Sequence, residues 1–156
     1  MTVSEIDKDP GHASRSVGAQ LRWLLDDLVE RAVGAEHAVL ISRDGLLIAR
    51  SGTMSEEDGE HLAAIASALQ SLARSAARQL SGGRVRQNLI EMECRHLLVT
   101  TAGNGSALAV VVPADGDLGQ VAYEVHHLVR QVGVHLSVQA RTSAAPSTSD
   151  LARPGV

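Results

Sequence analysis

The sequence predicts an α+β domain, in which helices pack on the faces of a five-stranded antiparallel sheet. Three observations support this fold class: apolar residues at helical spacing in three segments, five short apolar runs, and tight glycine-containing turns between neighbouring runs. Tight turns join antiparallel strands, whereas parallel strands need long crossovers. The chain has 156 residues and is 44% hydrophobic. This is enough for one packed core and leaves no room for a second full domain.

The first element is an amphipathic helix that Gly34 is expected to end. Its apolar positions are Leu21, Leu24, Leu25, Leu28, Val29 and Ala32. Two short apolar runs follow at 38–41 and 46–49, separated by Arg43-Asp44-Gly45. Asp-Gly between two such runs is a strong hairpin signal, so these runs are predicted to be the first two strands.

A long helix should begin after Ser55, which can cap its first turn, and end near Gly82-Gly83. Successive residues turn by about 100°, which separates an apolar stripe from a strip of small side chains. The stripe expected to face the sheet consists of Leu62, Ile65, Ala66, Leu69, Leu72, Ala73, Ala76 and Leu80. The opposite strip, predicted to be a dimer interface, consists of Ala64, Ser67, Ala68, Ser71 and Ser75. The alternative is that Ala and Ser simply fill exposed helical positions.

Three more strands are predicted at 85–92, 97–101 and 107–112, with Gly103-Asn104-Gly105 as the turn between the last two. A final helix should start at Leu118, with Asp117 as its cap, and end near Gly133. Residues 1–16 are expected to form a disordered arm and residues 137–156 a disordered tail, because neither has an apolar period. The domain itself should occupy residues 17–136.

The third strand mixes long polar and apolar side chains, which is typical of a sheet edge. If that edge paired with its own copy across a two-fold axis, the long helices of the two copies would also meet. Arg86, Asn88 and Ile90 are the strand's candidate interface residues. The alternative is an ordinary edge protected by its arginines.

No catalytic, metal or cofactor site is predicted. The single lysine, Lys8, lies outside any phosphate-binding loop, and Gly103-Asn104-Gly105 lacks the helix that a dinucleotide site requires. Cys94 and His96 supply too few groups for catalysis or a zinc site. The chain is therefore not expected to be an enzyme.

Composition excludes several classes of partner. The formal net charge of −4 and an aromatic content of 1% disfavour nucleic-acid binding. The lone Cys94 cannot form an internal disulfide, which favours a reducing, cytoplasmic location. The longest apolar run, at 107–113, is far too short to span a bilayer.

Two groups of charged residues are candidates for binding a protein partner. Asp26, Asp27 and Glu30 form an acidic patch on the first helix, and Arg74 and Arg78 lie near the end of the long helix. The alternative role for both groups is solubility.

Several motifs, together with the order of elements over residues 21–136, resemble the bacterial branch of the Roadblock/dynein light chain family. The motifs are LLDDL at 24–28, SRDGL at 42–46, EME at 91–93 and GNGSALAV at 103–110. The segment CRH at 94–96 departs from the glycine-plus-aromatic pattern of many relatives.

The resemblance implies a profilin-like roadblock fold, with the long helix on one face of the sheet and two helices on the other. It also implies homodimers joined through the long helix and the third strand, and a regulator or scaffold that binds Ras-like small GTPases. Some bacterial relatives stimulate GTP hydrolysis, and many are encoded beside a sensor-kinase-like protein. No arginine finger is carried over to this chain. The competing hypothesis is a small-molecule-sensing module of profilin-like or PAS/GAF-like architecture.

Overall fold

The computed structural model describes the backbone of residues 10–143 and the side chains of residues 17–134. It contains three α-helices, five strands and one short 3₁₀ turn within that range. In chain order these are α1 (Pro10–Arg31), β1 (His37–Ile41), β2 (Leu47–Arg50), α2 (Glu56–Gln79), β3 (Gln87–Glu91), β4 (Arg95–Thr101), the 3₁₀ turn (Gly103–Gly105), β5 (Ala107–Pro113) and α3 (Leu118–Ser143).

The strands form one sheet in the order β2-β1-β5-β4-β3. All four pairings are antiparallel. β5 is the central strand, between β1 and β4, and β3 lies at an edge, as its mixed polar and apolar sequence predicts.

A helical layer covers each face of the sheet. α1 and α3 bury Leu25, Leu28 and Val125 against one face, where Leu40 and Leu98 point from the sheet. α2 packs on the other face, against residues such as Val39, Ile41 and Val99. Because both faces are covered, central strand β5 is apolar at nearly every position instead of alternating. The predicted fold class is confirmed.

Local signals formed the expected turns and caps. The Ser55 hydroxyl accepts a hydrogen bond from the Asp58 backbone N–H at 3.1 Å and caps α2. The Asp117 carboxylate accepts one from the Gln120 N–H at 3.0 Å at the start of α3. In the β1–β2 hairpin Gly45 has φ +82°, in the left-handed region that favours glycine.

Two helix boundaries differ from those predicted. α1 begins at Pro10, within the segment expected to be a disordered arm, and α3 continues beyond residue 136 to Ser143. Gly133 does not end α3; the β4–β5 turn approaches the helix closely there, and a Cβ built on Gly103 would lie 3.2 Å from the Gly133 Cα. The predictions of disorder at residues 1–9 and 144–156 lie outside the described residues.

Candidate interaction surface

The orientation of α2 decides which of its side chains are available to a partner. Its buried residues are small or polar: Gly59, Ala63, Ala66 and Gln70. A Cβ built on Gly59 would lie 3.2 Å from Leu47 and 3.1 Å from Arg50, so the start of the helix lies very close to β2. Small side chains at this contact let the helix lie close to the sheet. The larger side chains of the helix therefore lie away from the contact.

The predicted sheet-facing stripe is therefore partly wrong. Leu62 and Leu69 pack on the core as expected, but Ile65 is 54% exposed, Leu72 68% and Leu80 77%. Apolar residues cover more than half of this helix's circumference, so periodicity alone could not tell the sheet-facing side from the side beside it.

An exposed seam runs along α2 through Ile65, Ala68, Leu72 and Ser75. The steps between these residues are three and four positions, which is the spacing of side chains that line up along one side of a helix. Two large apolar side chains alternate with two small ones in this seam. Such a pattern suits contact with a second helix, because the small residues leave space for the partner's larger ones.

The small-residue strip that the sequence predicts is only partly available. Ala64, Ala68 and Ser71 are exposed. Ser67 is half-buried beneath the β1–β2 turn, where a Cβ built on Gly45 would lie 2.6 Å from its Oγ. Ser75 accepts a hydrogen bond at 3.1 Å from Arg78.

Strand β3 lies beside the second half of α2. Among the described strands β3 pairs with β4 alone, so the outer edge of β3 has no strand partner there. Of its predicted interface residues Arg86 is exposed, whereas Ile90 is half-buried against the α2 core. Asn88 donates a hydrogen bond at 2.8 Å to the side-chain carbonyl of Gln70.

Gln70 is a structural residue that sequence reasoning missed. It is 4% exposed, and besides accepting from Asn88 it donates a hydrogen bond at 3.2 Å to Thr101 Oγ1. It therefore joins α2 to the edge strand and to β4. The available signal was its position four residues after the buried Ala66, where a polar residue interrupts the apolar pattern.

The acidic patch on α1 is used largely within the protein. Asp26 accepts a hydrogen bond at 2.6 Å from the Gly52 backbone N–H, in the loop after β2. Asp27 forms an ion pair with Arg31 at 3.0 Å. Glu30, the third predicted residue, is exposed and forms no ion pair among the described side chains.

The basic candidates Arg74 and Arg78 line a cleft of about 660 Å³ at the C-terminal half of α2. Arg43 from the β1–β2 turn and Arg84 from the segment before β3 line the same cleft. Arg74 and Arg78 were predicted together from their spacing on one helix, whereas Arg43 and Arg84, from other parts of the chain, were not among the candidates.

Within the described side chains no group of His, Cys, Asp and Glu is arranged to hold a metal ion. Cys94 is exposed in the β3–β4 turn, and His96 is half-buried on β4. Next to them Arg95 donates a hydrogen bond at 2.7 Å to Glu36, and this bond, with the charge of the carboxylate, raises the pKa of Arg95. None of the described helices is both long and apolar enough to cross a bilayer.

Comparison with known proteins identifies the family. The sequence profile of the Roadblock/LC7 domain matches residues 21–112. The chain belongs to the Roadblock/LC7 domain family. This roadblock protein is similar to a Roadblock/LC7 domain of Streptomyces avermitilis, with 39% sequence identity and a TM-score of 0.72 over 74% of this chain and 97% of that one. No curated protein is significantly similar in sequence.

More distant solved structures share the fold. MglB of Myxococcus xanthus is 18% identical, with a TM-score of 0.71 over 76% of this chain and 96% of that one. The gliding protein MglB of Thermus thermophilus is 20% identical, with a TM-score of 0.66 over 86% of this chain and 96% of that one. At these identities the likeness concerns the fold.

Proposed function

We propose that this roadblock protein is a homodimer that binds a Ras-like small GTPase, as a regulator or scaffold without catalytic activity of its own. The observation that carries the dimer is an exposed apolar seam on α2 beside a sheet edge that no described strand covers. Family membership supports the regulatory role, since roadblock proteins are generally regulators.

A dimer with a two-fold axis can cover both the open edge of β3 and the seam on α2. Pairing β3 with its copy supplies hydrogen-bond partners to the open strand edge and extends the sheet across two protomers. The hydrogen bond between Gln70 and Asn88 fixes α2 relative to that edge, so the seams of the two copies approach each other together with the strands. Ala68 lies between Ile65 and Leu72, where its small side chain permits close helix contact.

The GTPase in this proposal rests on the family resemblance. MglB supports it at the level of a shared fold. We place this activity in bacterial cytoplasmic signalling, with a sensor-kinase-like protein as a further partner. Because the chain has no phosphate-binding loop with a lysine, the GTP that is hydrolysed in this proposal is bound by the GTPase.

Ala68→Arg tests the dimer. Burying an unpaired guanidinium in a close helix contact costs several kcal/mol, so the variant should have the mass of a monomer in light scattering. Ala19→Arg is the control, because Ala19 is an exposed helical alanine on α1, away from the seam. An unchanged dimer mass for Ala68→Arg would show that the seam is not the interface.

The GTPase is tested by capture from the native cytoplasm on the immobilised full chain, with excess GDP or a non-hydrolysable GTP analogue. Mass spectrometry should identify a small GTPase whose recovery depends on the nucleotide. Its GTP hydrolysis is then measured with and without the roadblock protein, which separates a regulator from a scaffold. Recovery of no GTPase under either condition would contradict this part of the proposal.

A further inference from the structure

The arginine cleft is a second surface, which meets the seam at Ser75, and it is formed by four parts of the fold. α2 contributes Arg74 and Arg78, the β1–β2 turn Arg43, and the segment before β3 Arg84, and the turn between β4 and β5 also lines the cleft. Its volume of about 660 Å³ falls within the range typical of small-molecule sites.

The positive charge of the cleft is not neutralised by the protein. No aspartate or glutamate is among the described residues that line the cleft. The ion pairs found among the described side chains are Arg22 with Asp26, Arg31 with Asp27, and Arg95 with Glu36, and none of them involves a cleft arginine. Four guanidinium groups thus share one concave surface in a chain whose net charge is −4. An anion that enters the cleft would therefore meet positive charge that no described carboxylate balances.

Two of the four arginines are held in place. The stem of Arg43 packs along the β4–β5 turn, where a Cβ built on Gly105 would lie 3.1 Å from its Cγ and Cδ. Arg78 donates a hydrogen bond at 3.1 Å to Ser75. An arginine whose stem or guanidinium group is already in contact loses less side-chain freedom when it binds a ligand than a free one does.

The cleft wall is also open to a ligand. Gly83 and Gly105 line it, both with φ in the left-handed region, at +76° and +79°. A Cβ built on Gly83 would meet no atom within 4 Å, so this part of the wall borders open space. A bulky ligand head group can therefore approach the backbone there.

We propose that this cleft binds a small molecule that carries a chain of two or more phosphates. Guanidinium groups bind phosphate oxygens through paired, charge-assisted hydrogen bonds. A single phosphate ester carries about 1.5 to 2 negative charges at neutral pH, so at least two phosphates are needed to balance four arginines. The site adds a ligand to the proposed GTPase-binding role and does not depend on that role.

The concave shape favours a small phosphate compound over an acidic segment of a protein partner. The cleft's volume of about 660 Å³ is that of a small-molecule site, whereas a specific protein interface covers roughly 800 Å² on each partner. An acidic protein segment therefore becomes an alternative that the experiment must reject.

The test is isothermal titration calorimetry of the purified full chain with pyrophosphate, inorganic phosphate, GDP and ADP. Pyrophosphate should bind at least tenfold more tightly than inorganic phosphate, and its affinity should fall as salt is raised. Tighter binding of GDP or ADP than of pyrophosphate would identify a nucleoside as part of the ligand. Equal binding of all three would identify the phosphate chain itself as the ligand.

Arg43→Gln and Arg74→Gln provide the structural check, because each removes one positive charge from a different element. Each should weaken pyrophosphate binding at least tenfold. Arg130→Gln is the matched control, an exposed arginine on α3 outside the cleft, and should leave binding unchanged. Without ligand, circular dichroism should show that both cleft variants are folded, so that a loss of binding reports the loss of the charge.

Two results would overturn the proposal. One is the absence of binding by pyrophosphate, GDP and ADP at low salt. The other is binding of a glutamate-rich peptide through Arg43 and Arg74 more tightly than any phosphate compound, which would assign the cleft to an acidic protein segment. Neither result would alter the dimer mass or the GTPase capture, so this proposal fails independently of the proposed function.

Discussion

Leu72→Ala should weaken the dimer strongly and leave the isolated protomer almost unchanged. Full burial of a leucine side chain contributes about 1.5–3 kcal/mol, and Leu72 is 68% exposed in the protomer. About 1–2 kcal/mol per copy is therefore available from its burial in the interface. A two-fold interface contains two copies, so the loss is about 2–4 kcal/mol, or roughly a 30- to 1000-fold higher dissociation constant.

Sedimentation equilibrium over a dilution series measures this dissociation constant, and circular dichroism checks that the variant is folded. Val33→Ala is the control, because Val33 is similarly exposed, at 72%, but lies in the loop after α1. Thermal unfolding must be compared at one protein concentration, since dimerisation contributes to apparent stability. A dissociation constant for Leu72→Ala within twofold of the parent would refute the assignment of the seam to the interface.

Two further predictions concern stability. Asp26→Ala removes the acceptor of a charge-assisted hydrogen bond, so urea unfolding should show a loss of about 1–3 kcal/mol; exposed Glu30→Ala should change stability by less than about 0.5 kcal/mol, and equal effects would show that the Asp26 bond contributes little. Gly45→Ala should destabilise more than Gly83→Ala: both glycines have positive φ, at +82° and +76°, but only at position 45 would the new Cβ meet Ser67, at 2.6 Å from its Oγ. Equal losses from the two glycine substitutions would indicate that backbone strain alone sets the cost.

The fold was predictable because its signals are local. Asp44-Gly45 and Gly103-Asn104-Gly105 each turn the chain between two apolar runs, and such turns fix strand direction without knowledge of the tertiary structure. Ser55 and Asp117 mark helix starts through hydrogen bonds to residues three positions later. Each of these turns and caps depends only on residues that are neighbours in the sequence.

The orientation of α2 was not predictable in the same way. Ile65 and Ala66 are adjacent in sequence and both apolar, yet the first is exposed and the second is fully buried. The difference arises because Gly59 brings the helix close to β2, so only small side chains fit beneath it. That constraint involves a strand distant in sequence, so it cannot be inferred from the spacing of apolar residues along the helix.

The residues of the candidate site were also predictable only where the signal is local. Arg74 and Arg78 are one helical turn apart, and the sequence analysis grouped them. Arg43 reaches the same cleft only because the β1–β2 turn folds over α2, with Gly45 against Ser67. Asp26 was predicted to be a surface charge for binding a partner, but it accepts a hydrogen bond from the loop after β2.

Arg74 of the cleft and the large apolar residues of the seam lie on opposite sides of one helix. At about 100° per residue, Arg74 lies roughly 180° around α2 from Ile65 and roughly 160° from Leu72. A neutral substitution at Arg74 therefore changes the charge of the cleft without removing apolar area from the seam, and Leu72→Ala does the opposite. Because α2 is a single rigid element joined to β3 through Gln70 and Asn88, the two surfaces can be perturbed separately in the same fold. Loss of pyrophosphate binding with an unchanged dimer, and loss of the dimer with unchanged pyrophosphate binding, would establish them as two independent sites.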